Sequence, residues 1–183
     1  FKDLILTGCT DPDTKLKDFQ NHVFHVHGSG RMRESATYLK ELFLTLAGKI
    51  QRKEPDEDIA YSLGLFSHYI ADLNQPLHTA GEDADPDEDS YHMKFEKDVE
   101  GRLSRIPLGA FAYEPVTNPL ERLKGMTEEA NKGYTAIGNA YRTGNRVFDL
   151  QEIVNDQYNA AVKNVLDYWL GVFREGGLSY DLS

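Results

Sequence analysis

The residues of this sequence best suited to chemistry are its histidines, which are concentrated in the first half of the chain. All 6 lie between positions 22 and 92, and residues 93–183 contain none. Two of them stand four residues before a carboxylate, in the pairs His68 with Asp72 and His92 with Glu96. Side chains four residues apart leave the same face of a helix. Imidazole nitrogen beside carboxylate oxygen is a ligand set that suits zinc and related divalent metals.

Further candidate ligands surround the two pairs. His78 follows Pro76 just after the segment that carries the first pair, and Asp13 and His22 precede that segment. A single pair would be interpreted as a histidine hydrogen-bonded to a carboxylate without metal. That interpretation explains one such pair but not the presence of two. A mononuclear site uses about three or four protein ligands, and this region offers more than that. The sequence therefore favours a cluster of metal ions.

Apolar residues flank the first pair along the chain, namely Leu65, Phe66, Tyr69 and Leu73. A carboxylate beside such a stripe costs free energy unless a cation or hydrogen bonds compensate its charge. This environment adds to the case for a metal at Asp72.

Helices are expected to position these residues, because apolar side chains recur at three- and four-residue steps through much of the chain. The predicted helices cover residues 34–52, 57–73, 90–105, 119–142 and 149–173. Residues 105–119 contain 3 prolines and are predicted to form an irregular crossover. On the last helix, Tyr168, Trp169 and Phe173 are interpreted as core. We therefore expect an all-α fold, a single mostly helical domain over residues 1–183 with long loops.

Composition excludes several classes of protein. The chain has 183 residues, 40% hydrophobic and 27% charged, which is typical of one globular domain and not of a disordered chain. A balance of 20 Lys and Arg against 30 Asp and Glu gives a net charge of −10, which disfavours DNA or RNA binding through a basic face. No apolar run reaches the length of about 18 residues that a transmembrane helix needs. The single cysteine, Cys9, excludes an internal disulfide and is interpreted as a small buried thiol.

The spacing of the candidate ligands resembles the signature of the zinc-dependent phospholipases C, whose relatives include the zinc-dependent single-strand nucleases. That signature reads His-Tyr, two residues, Asp, three residues, Pro, one residue, His, and it matches His68, Tyr69, Asp72, Pro76 and His78. His92 and Glu96 also stand at the phospholipase spacing, with 13 residues between His78 and His92. The sequence departs from the family's usual residues at Ala71, Thr79 and Gly81, positions that shape the loop and do not bind metal.

The resemblance implies two zinc sites. Asp13, His22, His68 and Asp72 would form the first, and His78, His92 and Glu96 would form the second. Asp13 is assigned because the family places an aspartate ligand after a glycine, here Gly8. Asp11 is the alternative to Asp13, and its other interpretation is a turn residue before Pro12.

The main departure from the family concerns its third zinc site. Its members bind a third zinc with the amino-terminal residue and an early histidine, bridged by the aspartate that matches Asp72. This chain has no histidine among the 12 residues before Asp13. The third site is therefore missing, lies partly outside this sequence, or is rebuilt from His25 or His27, which alternate along an extended segment.

The resemblance also implies an activity, hydrolysis of phosphate esters by a metal-activated water, with Asp13 as ligand and candidate general base. Glu96 and the short spacing before His92 favour a phospholipid, or another phosphodiester, as substrate. Nucleic acid is the alternative substrate, since an aspartate and a longer insertion are usual in the nucleases. A non-catalytic helical domain that keeps zinc and binds a partner is the rival from another class.

The sequence also suggests where the protein is located and which residues contact a membrane. The family resemblance implies a secreted or periplasmic protein, and no obligate protein partner is evident. The sequence begins at Phe1 without a signal peptide, which implies that a leader was removed or that the sequence was trimmed. Peripheral membrane contact would use Phe111 and Tyr113. The acidic run 82–89 would be a solvated loop, or would attract a cationic headgroup such as choline.

Overall fold

The computed structural model describes residues 1–26, 32–80, 85–144 and 150–179. Helices dominate these residues and no β-strand occurs among them, which confirms the all-α prediction. In chain order the helices are α1 (Lys2–Asp11), α2 (Met32–Gln51), α3 (Asp56–Asp72), α4 (Glu88–Glu100), α5 (Pro119–Asn131), α6 (Tyr134–Arg142) and α7 (Gln151–Glu175). Among the residues described, no helix is both long enough and apolar enough to cross a bilayer.

Two predicted helices differ from those observed. The segment 119–142 forms two helices, because the chain turns at Lys132 and Gly133 between α5 and α6. Gly133 packs so closely that a Cβ there would lie 3.0 Å from Ile153 and 3.1 Å from Pro76. The helix predicted over 90–105 ends at Glu100, where glycine follows, and glycine costs about 1 kcal/mol relative to alanine inside a helix.

The helix α1 was not predicted, and it supports the site. It packs against α3, where Gly8 and Gly64 face each other at the crossing. A Cβ on Gly8 would lie 2.2 Å from the carbonyl oxygen of Tyr61, and one on Gly64 would lie 2.0 Å from that of Ile5. Only residues without a side chain permit this approach, which brings the backbone at Cys9 against α3.

The main core lies between α2, α3 and α7. Phe43, Phe66 and Tyr168 form an edge-to-face aromatic cluster at its centre. Tyr168 is fully buried, and Trp169 and Phe173 pack against this core, which confirms their interpretation as core residues. A second apolar cluster joins α4, α6 and the start of α7, and includes Tyr91, Phe95 and Ile137 among its members.

The crossover between α4 and α5 is irregular, as predicted, apart from a 3-10 turn at Leu103–Arg105. Hydrogen bonds from the amide of Val116 to the carbonyl of Asp167 (3.0 Å) and from the amide of Gly109 to Asn159 (2.7 Å) hold it against α7. Within it, Phe111 is half-buried, and Tyr113 is exposed with its ring against that of Phe111.

Candidate metal centre

The structure brings the upstream candidates and the first helical pair together. Asp13 lies on a π-helical turn (Pro12–Leu16) that continues α1, His22 follows a 3-10 turn, and His68 and Asp72 lie one turn apart on α3. Nδ1 of His22 is 3.2 Å from Nε2 of His68 and 2.7 Å from Oδ2 of Asp72. Nε2 of His68 is 3.0 Å from the same Asp72 oxygen, and Oδ1 of Asp13 is 3.6 Å from both ring nitrogens. These four residues make up the first group.

The second group contains the three remaining candidate ligands. His78 lies in a 3-10 turn (Pro76–His78) after α3, and His92 and Glu96 lie one turn apart on α4. Oε1 of Glu96 is 3.4 Å from Nε2 of His78 and 3.2 Å from Nε2 of His92. The amide of Gln75 donates to the same Glu96 oxygen at 3.2 Å.

The two groups are neighbours. Nδ1 of His78 lies 3.9 Å from Oδ2 of Asp72, so Asp72 stands between them. All seven candidate ligands predicted from the sequence therefore face one region of the molecule.

Backbone carbonyls fix the orientation of two of the rings. Nδ1 of His68 donates to the carbonyl oxygen of Cys9 (2.8 Å), and Nδ1 of His78 donates to that of His22 (3.0 Å). In the neutral imidazole the other nitrogen, Nε2, then carries a lone pair. In both rings that nitrogen faces a carboxylate of its group, where two acceptors would repel unless a proton or a metal cation lies between them.

Carboxylates outside the two groups fix the other two rings. Nε2 of His22 faces Oδ1 of Asp18 at 3.4 Å, and Nδ1 of His92 donates to Oε1 of Glu88 at 3.0 Å. The other ring nitrogen of each histidine points into its group, namely Nδ1 of His22 into the first group and Nε2 of His92 into the second. A histidine that binds metal commonly donates its other N–H to a carboxylate or carbonyl in this way.

Zinc fits the first group by its donors and by their spacing. Two imidazole nitrogens and two carboxylates are a ligand set for zinc. In a tetrahedron with zinc–ligand distances of about 2.0–2.1 Å the ligand atoms lie about 3.3 Å apart. The closest observed separations within the group run from 2.7 to 3.6 Å, on both sides of that value. In the second group the ligand atoms also lie within 4.8 Å of one another.

Charge in the site follows from its hydrogen bonds. Burial alone would raise the pKa of Asp72, but hydrogen bonds from the two imidazoles of the first group hold that pKa well below its usual range. Hydrogen bonds from His78 and His92 lower the pKa of Glu96 to about 2. Burial acts to lower the pKa of His92, but its bonds to Glu88 and Glu96 raise it to about 9. The carboxylates thus stay charged and draw either protons or a divalent cation to the rings.

Other predicted candidates lie elsewhere or have other partners. The Asp11 carboxylate is buried and accepts hydrogen bonds from Lys15 (3.0 Å) and Tyr61 (2.9 Å), away from the first group. His25 is buried but is in neither group, and His27 lies outside the described residues. The thiol of Cys9 donates to the carbonyl of Gly64 at 3.3 Å.

The acidic run differs from a uniformly solvated loop where the structure describes it. Residues 82–84 lie outside the described residues. Asp85 is buried and forms an ion pair with Arg142, and it accepts a hydrogen bond from Tyr91 at 2.6 Å. Glu88 is half-buried against His92.

The family that these features indicate is found independently by comparison with known proteins. A family model described as zinc dependent phospholipase C matches residues 1–168. The chain belongs to this family. The match spans all seven candidate ligands, and its reach through α5 and α6 extends the resemblance seen in the sequence motifs. A comparison with curated proteins found no match.

Membership in the zinc dependent phospholipase C family supports a phospholipase C-like function and a zinc cofactor. It also indicates a hydrolase of phosphate esters.

Sequence reasoning missed the carboxylates that orient His22 and His92. Each stands four residues before its histidine, as Asp18 before His22 and Glu88 before His92. A search for carboxylates on both sides of each histidine at this spacing would have found Glu88. The same search would not have supported Asp18, because a four-residue spacing brings side chains together on a helix and Asp18 lies in an irregular segment.

Proposed function

We propose that this chain is a zinc-dependent phosphodiester hydrolase that cleaves a phospholipid or a related phosphate ester at a two-zinc centre. One observation carries the proposal. Four imidazoles each tie one nitrogen to an oxygen and direct the other toward carboxylates, in two adjacent groups. With neutral rings this arrangement directs lone pairs at carboxylates, and metal ions between them would satisfy both.

Each residue has a role in this proposal. Asp13, His22, His68 and Asp72 hold the first zinc, and His78, His92 and Glu96 hold the second. Bound zinc lowers the pKa of water toward about 7 and offsets the charge on phosphate oxygens. The side chain of Asp13 is 59% exposed, far more than the other ligands of its group, so its carboxylate is placed to accept a proton at the mouth of the site.

A phospholipid is preferred to nucleic acid as the substrate because the chain carries a net charge of −10, which opposes a polyanion. Peripheral membrane contact through Phe111 and Tyr113 accords with this substrate, as does secretion or export to the periplasm. No obligate protein partner is part of the proposal.

Metal content is the first test. Inductively coupled plasma mass spectrometry of the protein purified without chelator is expected to give two zinc ions per chain. His68→Ala and His92→Ala should each lose one. Asp13→Asn should weaken the first site, whereas Asp11→Asn, the matched control, should keep both ions because Asp11 bonds to Lys15 and Tyr61. A content of zero or one that added zinc does not restore would favour the non-catalytic binding domain.

Activity is the second test. A choline phospholipid and single-stranded DNA are assayed with the zinc-loaded protein and with His68→Ala as the control for contaminating activity. Turnover of the phospholipid that His68→Ala abolishes is the expected result. Faster turnover of DNA would assign the chain to the nuclease side of the superfamily instead.

A further inference from the structure

A groove runs beside the metal centre, between the carboxyl end of α3, α4 and the first half of α7. Its volume is about 520 Å³, within the range of about 300–1,000 Å³ typical of small-molecule sites.

The walls of the groove are apolar. Its apolar lining includes Phe95, Val99, Leu103, Val162, Val165 and Leu166. Most are only partly buried, and Leu103 is 40% exposed. Contiguous apolar side chains left open to solvent around a cleft indicate a surface that binds something apolar.

The groove is continuous with the metal centre. Two candidate ligands, Asp72 and Glu96, line it. Gln75 lines it as well, and its side-chain amide donates a hydrogen bond to Glu96. The backbone amide of Leu77 donates to Oε1 of Gln75 (2.6 Å), which fixes the side chain at this junction. A phosphodiester held at the metal centre would therefore have the groove next to it.

The charges and side chains of the groove select among occupants. No lysine or arginine lines it among the residues that the structure describes, and Glu100 adds a third carboxylate to those of Asp72 and Glu96. A nucleic acid strand needs cations along its backbone and aromatic faces for its bases. The groove offers only Phe95, which is buried, and Tyr158.

We propose that this groove binds an acyl chain of the lipid whose phosphate is held at the metal centre. The inference rests on the proposed function for the identity of the substrate, but the groove's own preference can be measured without catalysis. Burial of each methylene contributes about 0.8 kcal/mol, so affinity should rise about fourfold per methylene until the groove is full.

The test is a calorimetric titration with monobutanoyl-, monohexanoyl- and mono-octanoylglycerol, kept below the concentrations at which they aggregate. These probes have no phosphate, so their binding depends neither on a phosphate held by zinc nor on hydrolysis, and one zinc-loaded preparation serves for every probe. Affinity is expected to rise with chain length in the wild-type protein. Val162→Trp, which fills the groove, should remove that rise. Leu103→Glu is a second variant at a more exposed position and should weaken binding of the longest probe at least tenfold. Asp156→Trp, at an exposed position of α7 outside the groove, is the matched control and should bind as wild type does.

Several results would overturn the assignment. Affinity independent of chain length, or a rise that both groove variants retain, would show that acyl chains do not enter the groove. Binding of an oligothymidylate that the two variants abolish would assign the groove to nucleic acid. A dimer in sedimentation that the variants dissociate would assign it to a second copy of the chain. Because zinc content is measured separately, failure of the two-zinc centre would be recognised as a different failure.

Discussion

At the scale of single residues, the oxygens behind the histidines decide which ring nitrogen faces the metal centre. The carboxylate of Glu88 accepts from His92 on one oxygen and from the Tyr134 hydroxyl (2.5 Å) on the other. Asp18 is placed in the same way, between His22 and the hydroxyl of Tyr69 (2.8 Å). A tyrosine thus holds each orienting carboxylate in position.

Glu88→Ala should therefore weaken the second zinc site while it leaves the first intact. Loss of such an outer hydrogen bond typically lowers metal affinity about 10–100-fold. Competition with a chromogenic chelator measures the two affinities, with Asp89→Asn as the control because Asp89 is exposed on the same turn of α4. If Glu88→Ala binds both zinc ions as tightly as wild type, Glu88 does not orient His92.

Asp85 should contribute stability that depends on pH. The hydrogen bond from Tyr91 and the ion pair with Arg142 hold the pKa of Asp85 below its usual value, despite burial. A carboxyl whose pKa is lowered by folding stabilises the protein above its unfolded pKa of about 3.9, and that contribution is lost as the pH falls through the folded pKa.

Asp85→Asn should accordingly lower the free energy of unfolding by about 1–3 kcal/mol at neutral pH. The difference from wild type should shrink as the pH falls below the unfolded value of about 3.9 and through the lowered pKa of folded Asp85, where Asp85 itself becomes protonated. Urea unfolding with chelator present throughout measures this without a contribution from zinc release. A difference that is constant across the pH range would mean that the amide costs stability by its shape and not by its charge.

The choice between Asp11 and Asp13 shows where sequence reasoning ended at this scale. The two residues differ by two positions, and both lie beside Pro12. Only the π-helical turn after α1 separates them, since it points Asp13 toward His22 and leaves Asp11 against Tyr61. Such a turn has no reliable signature in a single sequence. The spacing of His68, Asp72 and His78, by contrast, was sufficient to predict their convergence.

At the scale of elements, the crossing of α1 over α3 positions the carbonyl that orients His68. Gly8 and Gly64 let the two backbones approach, and Cys9 follows Gly8 directly. The hydrogen bond from His68 to the Cys9 carbonyl, 2.8 Å long, therefore depends on a contact between helices and not only on the residues of the site.

Gly64→Ala should disturb both stability and metal binding. Its Cβ would lie 2.0 Å from the Ile5 carbonyl oxygen, so α1 must shift away from α3. Overpacking of this kind typically costs about 1–3 kcal/mol, and the shift should lengthen the bond between Cys9 and His68. Thermal unfolding and zinc affinity are measured together.

Gly125→Ala is the matched control for that substitution. Gly125 lies within α5, where an added Cβ would have no neighbouring atom within 4 Å, and alanine is the better helix former. The substitution should raise the free energy of unfolding by about 0.5–1 kcal/mol. Equal stability of the two variants would contradict the close crossing.

The helices themselves were largely predictable, and the exceptions have physical causes. α2, α3 and α7 carry long apolar stripes and were predicted to within two residues at each end. α1 is only 10 residues long and contains threonine and glycine, which are weak helix formers, so packing on α3 rather than local preference stabilises it. The turn between α5 and α6 depends on the tight packing of Gly133, which is a tertiary contact.

At the scale of the whole molecule, the segment before α2 and the helix α4 supply candidate ligands to adjacent groups although they share few other contacts. Asp13 and His22 lie in the segment before α2, whereas His92 and Glu96 lie on α4, outside the main core between α2, α3 and α7. Two zinc ions would join these parts through α3 and the turn that follows it. The metal centre is therefore expected to stabilise the fold as well as to act in catalysis.

Removal of zinc should consequently lower the melting temperature by on the order of 10 °C. A ligand present at about 1,000 times its Kd stabilises the folded state by about 4 kcal/mol, and about 1 kcal/mol corresponds to about 2–4 °C for a chain of this size. Calorimetric scans of the protein as purified, after chelation and after zinc is restored measure the change. His68→Ala should show a smaller response to chelation than wild type, because it retains only the second site. An unchanged melting temperature in a protein shown to have lost its zinc would mean that the ligands are held in place by the helices alone, and that the metal ions do not tie α4 to the segment before α2.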